Sequence, residues 1–185
     1  MLPPRLPMDT APLRIREADS SADLDTARRL FREYAAWLEV DLCFQGFEDE
    51  LAGLPGKYAP PGGVLLLAED AAGNPAGCVA VRPLSDDSGG RMCELKRLWV
   101  RPGYRGLNAG RSLTSAALAA ARAMGYATIK LDTMAGKMAP AVALYRALGF
   151  TECAPYCYNP VADVIYLEYD LRPTPPANID PGSNS

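Results

Sequence analysis

Residues 93–125 read CELKRLWVRPGYRGLNAGRSLTSAALAAARAMG, passing from a strand to a helix through a loop suited to holding an anion. The strand half, residues 95–100, is stopped by Pro102, which cannot donate to a ladder. Gly103, Gly106 and Gly110 let the loop turn tightly and bring its backbone close to a ligand. The helix is expected to begin near Ala109 or Gly110, so that its unpaired N–H groups and the positive end of its dipole face the loop. With Arg105 and Arg111 flanking that end, the loop predicts a site for phosphate oxygens. The plainer alternative is a tight turn carrying two solvated arginines.

Spacing separates the phosphate loops that could give this pattern. A P-loop ending at Gly110 would need Gly at position 105 and Lys at 111, and both are Arg. The dinucleotide fingerprint G-x-G-x-x-G does not match Gly103, Gly106 and Gly110 either. A second pattern lies downstream, where residues 143–150 read ALYRALGF. Together, V-x-P-x-Y-R-G at residues 100–106, Arg105, Asn108 and Gly110 in the loop, and ALYRALGF resemble the GNAT superfamily of acyl-CoA N-acyltransferases. In that family the pyrophosphate loop is Arg or Gln, two residues, Gly, one residue, then Gly or Ala. Asn108 stands where the family usually has Gly, and Asn tolerates the left-handed backbone better than other side chains.

Composition narrows the classes further. A chain of 185 residues and 19.8 kDa suits one domain with a sizeable core. A net charge of −3 and a pI near 5.1 argue against a nucleic-acid or anionic-membrane surface. The basic residues Lys96, Arg97, Arg101, Arg105 and Arg111 cluster locally, which suits a small polyanionic ligand. No apolar run has the length of a membrane span or the form of a signal peptide, so the expected location is cytoplasmic. The five cysteines are scattered and odd in number, which disfavours a disulfide framework. Cys153 and Cys157 have no second pair or His to complete a metal site. With no histidine anywhere, Ser-His and Cys-His nucleophilic sites are excluded, and a base must be a carboxylate, tyrosine, cysteine or water.

In chain order, residues 1–12 hold four prolines and no periodicity, and read as a disordered leader. Residues 13–172 form the domain. A strand at 13–17 precedes a helix from Asp23, with Ser20 or Ser21 as cap and an apolar stripe reaching Leu42. Phe47, Leu51 and Leu54 make a short stripe ended by Pro55-Gly56. Residues 64–69 and 76–82 form a hairpin, 83–90 a surface loop and 92–100 the fourth strand. After the alanine-rich helix come a strand at 129–133, a helix at 138–148 and a last strand at 164–171. Residues 173–185 read as a disordered tail. This order predicts an α/β (α+β) fold with a mixed, mostly antiparallel central sheet flanked by helices.

The resemblance covers residues 13–171. It implies the GNAT fold with the fourth and fifth strands splayed, and direct acetyl transfer from acetyl-CoA to a primary amine of a small molecule or peptide. From composition, no metal, nucleic-acid or membrane partner is expected, and a homodimer is admitted. Residues implied to hold acetyl-CoA are Leu98, Trp99 and Val100, through backbone amides that polarise the thioester carbonyl, and the loop Arg105, Gly106, Leu107, Asn108, Ala109, Gly110 and Arg111. Glu94 matches a fourth-strand glutamate used as base, and should share a strand face with Lys96 and Leu98. Tyr145 matches the tyrosine that faces the departing sulfur. Tyr58, Tyr156 and Tyr158 are further candidates for the acceptor pocket. The alternative is a non-catalytic acetyl-CoA-binding module on the same fold.

Overall fold

The computed structural model describes residues 12–43, 46–85 and 91–173, so the leader and the tail lie outside the described residues except for Pro12 and Pro173. The elements are β1 (Arg14–Glu17), α1 (Ser21–Leu38), α2 (Phe47–Ala52), β2 (Val64–Glu69), β3 (Pro75–Leu84), β4 (Met92–Val100), α3 (Ala109–Ala123), β5 (Thr128–Met134), α4 (Ala139–Leu148), β6 (Thr151–Glu152) and β7 (Val164–Asp170). They build a seven-stranded sheet in the order β1-β2-β3-β4-β5-β7-β6. The β4–β5 pair is parallel and the other neighbours are antiparallel.

Both faces of the sheet are covered, which explains the unbroken apolar run of β2. Leu65 and Leu67 point into a core with Leu30 and Phe31 of α1 and Leu51 of α2. Val64, Leu66 and Ala68 point into the opposite core with Leu113, Ala117 and Ala121 of α3 and Tyr145 of α4. The small residues of α3 let it lie close to the strands. Ser20 caps α1, its hydroxyl accepting from the Asp23 N–H at 3.2 Å while the Asp23 carboxylate accepts from the Ser20 N–H, an arrangement worth about 1 kcal/mol. The helix stops at Leu38 rather than near Leu42, because Glu39 turns left-handed at φ 56°.

Two irregularities in β4 place the site. Lys96 stands opposite Ala80 and Trp99 opposite Cys78, so Arg97 and Leu98 together face Val79, and Arg97 adopts φ 58°. This is a β-bulge, which bends a strand and re-aims its side chains. It corrects the expected alternation. Glu94 and Lys96 do share the α1 face, but Leu98 packs with the α3 core, because the extra residue shifts the phase by one. The second irregularity is on the other edge of β4. Pairing with β5 covers only Met92–Glu94 against Thr128–Lys130, whereas β5 pairs with β7 along its whole length. Beyond Glu94 the two central strands part, and the β5-facing edge of residues 95–100 is left without a ladder.

Candidate functional site

The loop after β4 forms one wall of a cleft of about 410 Å³. Gly106 takes φ 83° and Asn108 takes φ 60°, so Asn108 meets the left-handed requirement that a glycine would ordinarily meet. The Asn108 side chain makes no capping bond to α3. The first bond of α3 runs from the Ser112 N–H to the Asn108 carbonyl at 2.9 Å, which leaves the N–H groups of Ala109, Gly110 and Arg111, three residues that line the cleft, without helical partners. Gly110 is closely packed, and a Cβ there would meet the Leu144 side chain of α4 at 3.3 Å. Gly103 has open space around it and an ordinary φ, so the turn does not depend on it.

The expected basic cluster divides in two. Arg97 is bidentate to Glu50 at 2.9 and 2.7 Å, Arg101 is bidentate to Glu33 at 2.9 and 2.6 Å, and Lys96 reaches Asp132 at 3.1 Å. These three cations serve the fold, because the bulge and the strand phase turn them toward acidic partners on other elements. Arg105 and Arg111 line the cleft with Lys137, which pairs with Glu39 at 2.6 Å, and among the described residues no carboxylate lines it. The Arg105 guanidinium lies over Trp99 at 5.0 Å and Trp37 at 5.5 Å, and its Nε donates to the Val100 carbonyl at 3.2 Å. Leu98, Met138, Pro140, Ala141 and Leu144 give the inner cleft an apolar lining.

A smaller pocket of about 50 Å³ fills the gap where β4 and β5 part, and it meets the cleft at Leu98 and Met138. Its polar lining includes Tyr34, Lys96, Asp132, Tyr145 and Asn159. Burial acts to raise the Asp132 carboxyl, but Lys96 and the Asn159 amide, donating at 2.7 Å, outweigh it and hold it below the usual carboxylate range. Asp132 therefore stays ionised inside the gap. Burial, reinforced by Tyr34 and Asp132, pushes the Tyr145 phenol well above its ordinary range, so it keeps its proton.

Glu94 lies beside this pocket without lining it, and it is 1% exposed. Its Oε2 receives Arg82 at 2.8 and 2.7 Å, and its Oε1 receives the Tyr156 hydroxyl at 2.9 Å and lies 3.5 Å from Lys96 Nζ. Of the three further tyrosine candidates, Tyr156 is thus behind the pocket. Tyr58 is buried on Glu50 at 2.8 Å, and Tyr158 is 82% exposed. Tyr34, Trp37, Asp132, Lys137 and Met138 belong to the site without having been singled out as site residues. Only Asp132 left a signal in sequence, as the one acidic residue of the strand TIKLDTM at 128–134.

Comparison with known proteins agrees with this geometry. Residues 24–150 match the model of the Acetyltransferase (GNAT) family. An uncharacterized N-acetyltransferase of Schizosaccharomyces pombe is 41% identical over 149 residues, covering 80% of this chain and 89% of its own. A GNAT-family acetyltransferase of Staphylococcus aureus Mu50 superposes with a TM-score of 0.69 at 21% identity, over 86% of this chain and 99% of its own. The yncA protein of Salmonella typhimurium, solved with its cofactor acetyl-CoA, superposes with a TM-score of 0.67 at 22% identity, over 88% of this chain and 95% of its own.

Proposed function

Since the chain belongs to the Acetyltransferase (GNAT) family, and is an acetyl-CoA-dependent acetyltransferase, we propose that it moves the acetyl group directly onto a primary amine of a small molecule or peptide at the gap between β4 and β5. The observation that carries this reading is that cleft and pocket adjoin, sharing Leu98 and Met138 in their walls, so that a donor in the cleft and an acceptor in the gap would be neighbours. The cleft fits the donor. Its cations and free helix N–H groups suit a pyrophosphate, and its apolar inner walls suit an uncharged arm leading to the gap.

In this reading Arg105, Gly106, Leu107, Asn108, Ala109, Gly110 and Arg111 hold the pyrophosphate. The backbone of Leu98, Trp99 and Val100, unpaired on the β5 side, aligns the thioester and polarises its carbonyl. The amine nitrogen bonds to the carbonyl carbon, the C–S bond breaks, and sulfur leaves with the electron pair. The proton lost by nitrogen ends on that sulfur. Tyr145 donates a hydrogen bond to the leaving sulfur. The acceptor reacts as the free amine, its ammonium proton having been lost to solvent, and Asp132, paired with Lys96 and Asn159, holds the polar wall of the gap in place. Glu94 acts as a positioning residue, its carboxylate holding Arg82, Tyr156 and Lys96 around the pocket.

Arg105→Ala should raise the acetyl-CoA dissociation constant about tenfold, the worth of one charge-assisted hydrogen bond to phosphate. Calorimetry checks it, and unchanged affinity would remove Arg105 from the anion site. Arg111→Ala should show a smaller effect. The proposed function itself is tested by free-thiol release from acetyl-CoA across a panel of amines, amino acids and peptides. Thiol release that no amine accelerates would contradict it.

A further inference from the structure

The gap between β4 and β5 is entered by phenols from both faces of the sheet. Tyr145 reaches it from α4 through the α3-side core, and Tyr34 reaches it from α1, edge-on to Trp99 at 6.2 Å. Their hydroxyls differ from the other tyrosines of the chain. Tyr58, Tyr104, Tyr126, Tyr156 and Tyr166 each donate to a carboxylate or carbonyl, Tyr169 accepts from Arg122, and Tyr158 is 82% exposed. Among the described residues Tyr34 and Tyr145 have no hydrogen-bond partner, although Tyr145 is 3% exposed. A buried hydroxyl is normally paired, and the unpaired phenols of Tyr145, which is buried, and Tyr34, which is half-buried, line one pocket and leave their bonds to whatever enters it.

We infer that Tyr34 seats the acceptor nitrogen, its phenol oxygen accepting an N–H from the amine so that the nitrogen lone pair faces the thioester carbon held on the Tyr145 side. This rests on the acetyl-transfer reading above. The two phenols then divide the reaction, Tyr34 on the bond that forms and Tyr145 on the bond that breaks. Tyr34 neither gains nor loses a proton. Burial pushes its phenol up to about 12, Asp132, Cys78 and Glu50 adding to the rise and Arg97 opposing it, so it remains a neutral hydroxyl at working pH. The pocket's size, about 50 Å³, admits little more than the amino end of an acceptor. Methylamine, which carries that end and little else, is therefore a fair probe of the seat.

The test compares wild type and Tyr34→Phe with methylamine taken to saturation, reading thiol release, and with acetyl-CoA affinity measured by calorimetry. Phenylalanine keeps the ring against Trp99, and equal melting temperatures confirm that the fold is kept. The expected result is a KM for methylamine raised roughly five- to tenfold, the worth of one hydrogen bond, with acetyl-CoA affinity unchanged. Tyr145→Phe run in parallel should lower kcat and leave that KM in place. An unchanged KM for methylamine in Tyr34→Phe would overturn the inference. So would a failure of methylamine to be acetylated by wild type while a larger amine is turned over. Loss of acetyl-CoA binding in Tyr34→Phe would assign Tyr34 to the donor cleft and equally overturn it. If wild type turned over no amine at all, the acetyl-transfer reading would fail first and take this inference with it.

Discussion

Tyr145→Phe is expected to lower turnover about a hundredfold or more, with acetyl-CoA affinity and melting temperature close to wild type. The ring would stay packed on Phe150, whose centroid lies 5.4 Å away, and the lost hydroxyl has no partner among the described residues. The loss would therefore be read in kcat. A thiol ordinarily titrates near 8.5 and a phenol near 10, and burial pushes Tyr145 higher still. Full proton transfer from this tyrosine to the departing thiolate is uphill, so its contribution is a hydrogen bond that strengthens as charge develops on sulfur. The sign of the pH dependence follows. A raised pKa preserves the donor as pH rises, so loss of this proton should not lower the wild-type rate below about pH 10. An alkaline decline centred near about pH 8 that disappears in Tyr145→Phe would contradict the assignment.

Glu94→Gln should cost about 3 kcal/mol of stability, at the lower end for breaking a buried ion pair, because Arg82 is partly exposed and Lys96 keeps Asp132. In a domain of this size the melting temperature should fall by roughly 6–12 °C. Activity should fall through disorder of the pocket wall, and the shape of the pH–rate profile should stay as in wild type. The competing role predicts the reverse. If Glu94 removed a proton from the amine, Glu94→Gln would recover rate as pH rises, because more of the acceptor is then already deprotonated. Recovery of that kind would restore Glu94 as the base.

What was legible in sequence was local. The loop from Arg105 to Arg111 and the run from Ala143 to Phe150 carry their information in consecutive residues, and they point to the family and its fold without any long-range contact. The order of strands and helices followed from periodicity, and the β2–β3 hairpin from its Gly-Asn-Pro turn. Reading stopped where side chains are directed by something distant. A left-handed Arg97 has no local signature, and the one-residue bulge it makes undoes strict alternation for the rest of β4. Lys96, Arg97 and Arg101 looked like an anion site because their carboxylates lie 36, 47 and 68 residues away in the chain. Tyr34 and Trp37 sit in an ordinary amphipathic helix, and only the packing of α1 over the parted strands brings them to the gap and the cleft.

Direct passage of one acetyl group from acetyl-CoA to an amine at the β4–β5 gap can be followed by counting its products. The most direct measurement mixes the enzyme with excess acetyl-CoA, with and without the best acceptor from the amine panel. Thiol released, N-acetyl product formed and the intact mass of the protein are then counted together. Direct transfer gives one N-acetyl product for each thiol and leaves the protein mass unchanged by acetyl-CoA alone. Thiol release without N-acetyl product, or a protein that gains an acetyl group and passes it on, would contradict it.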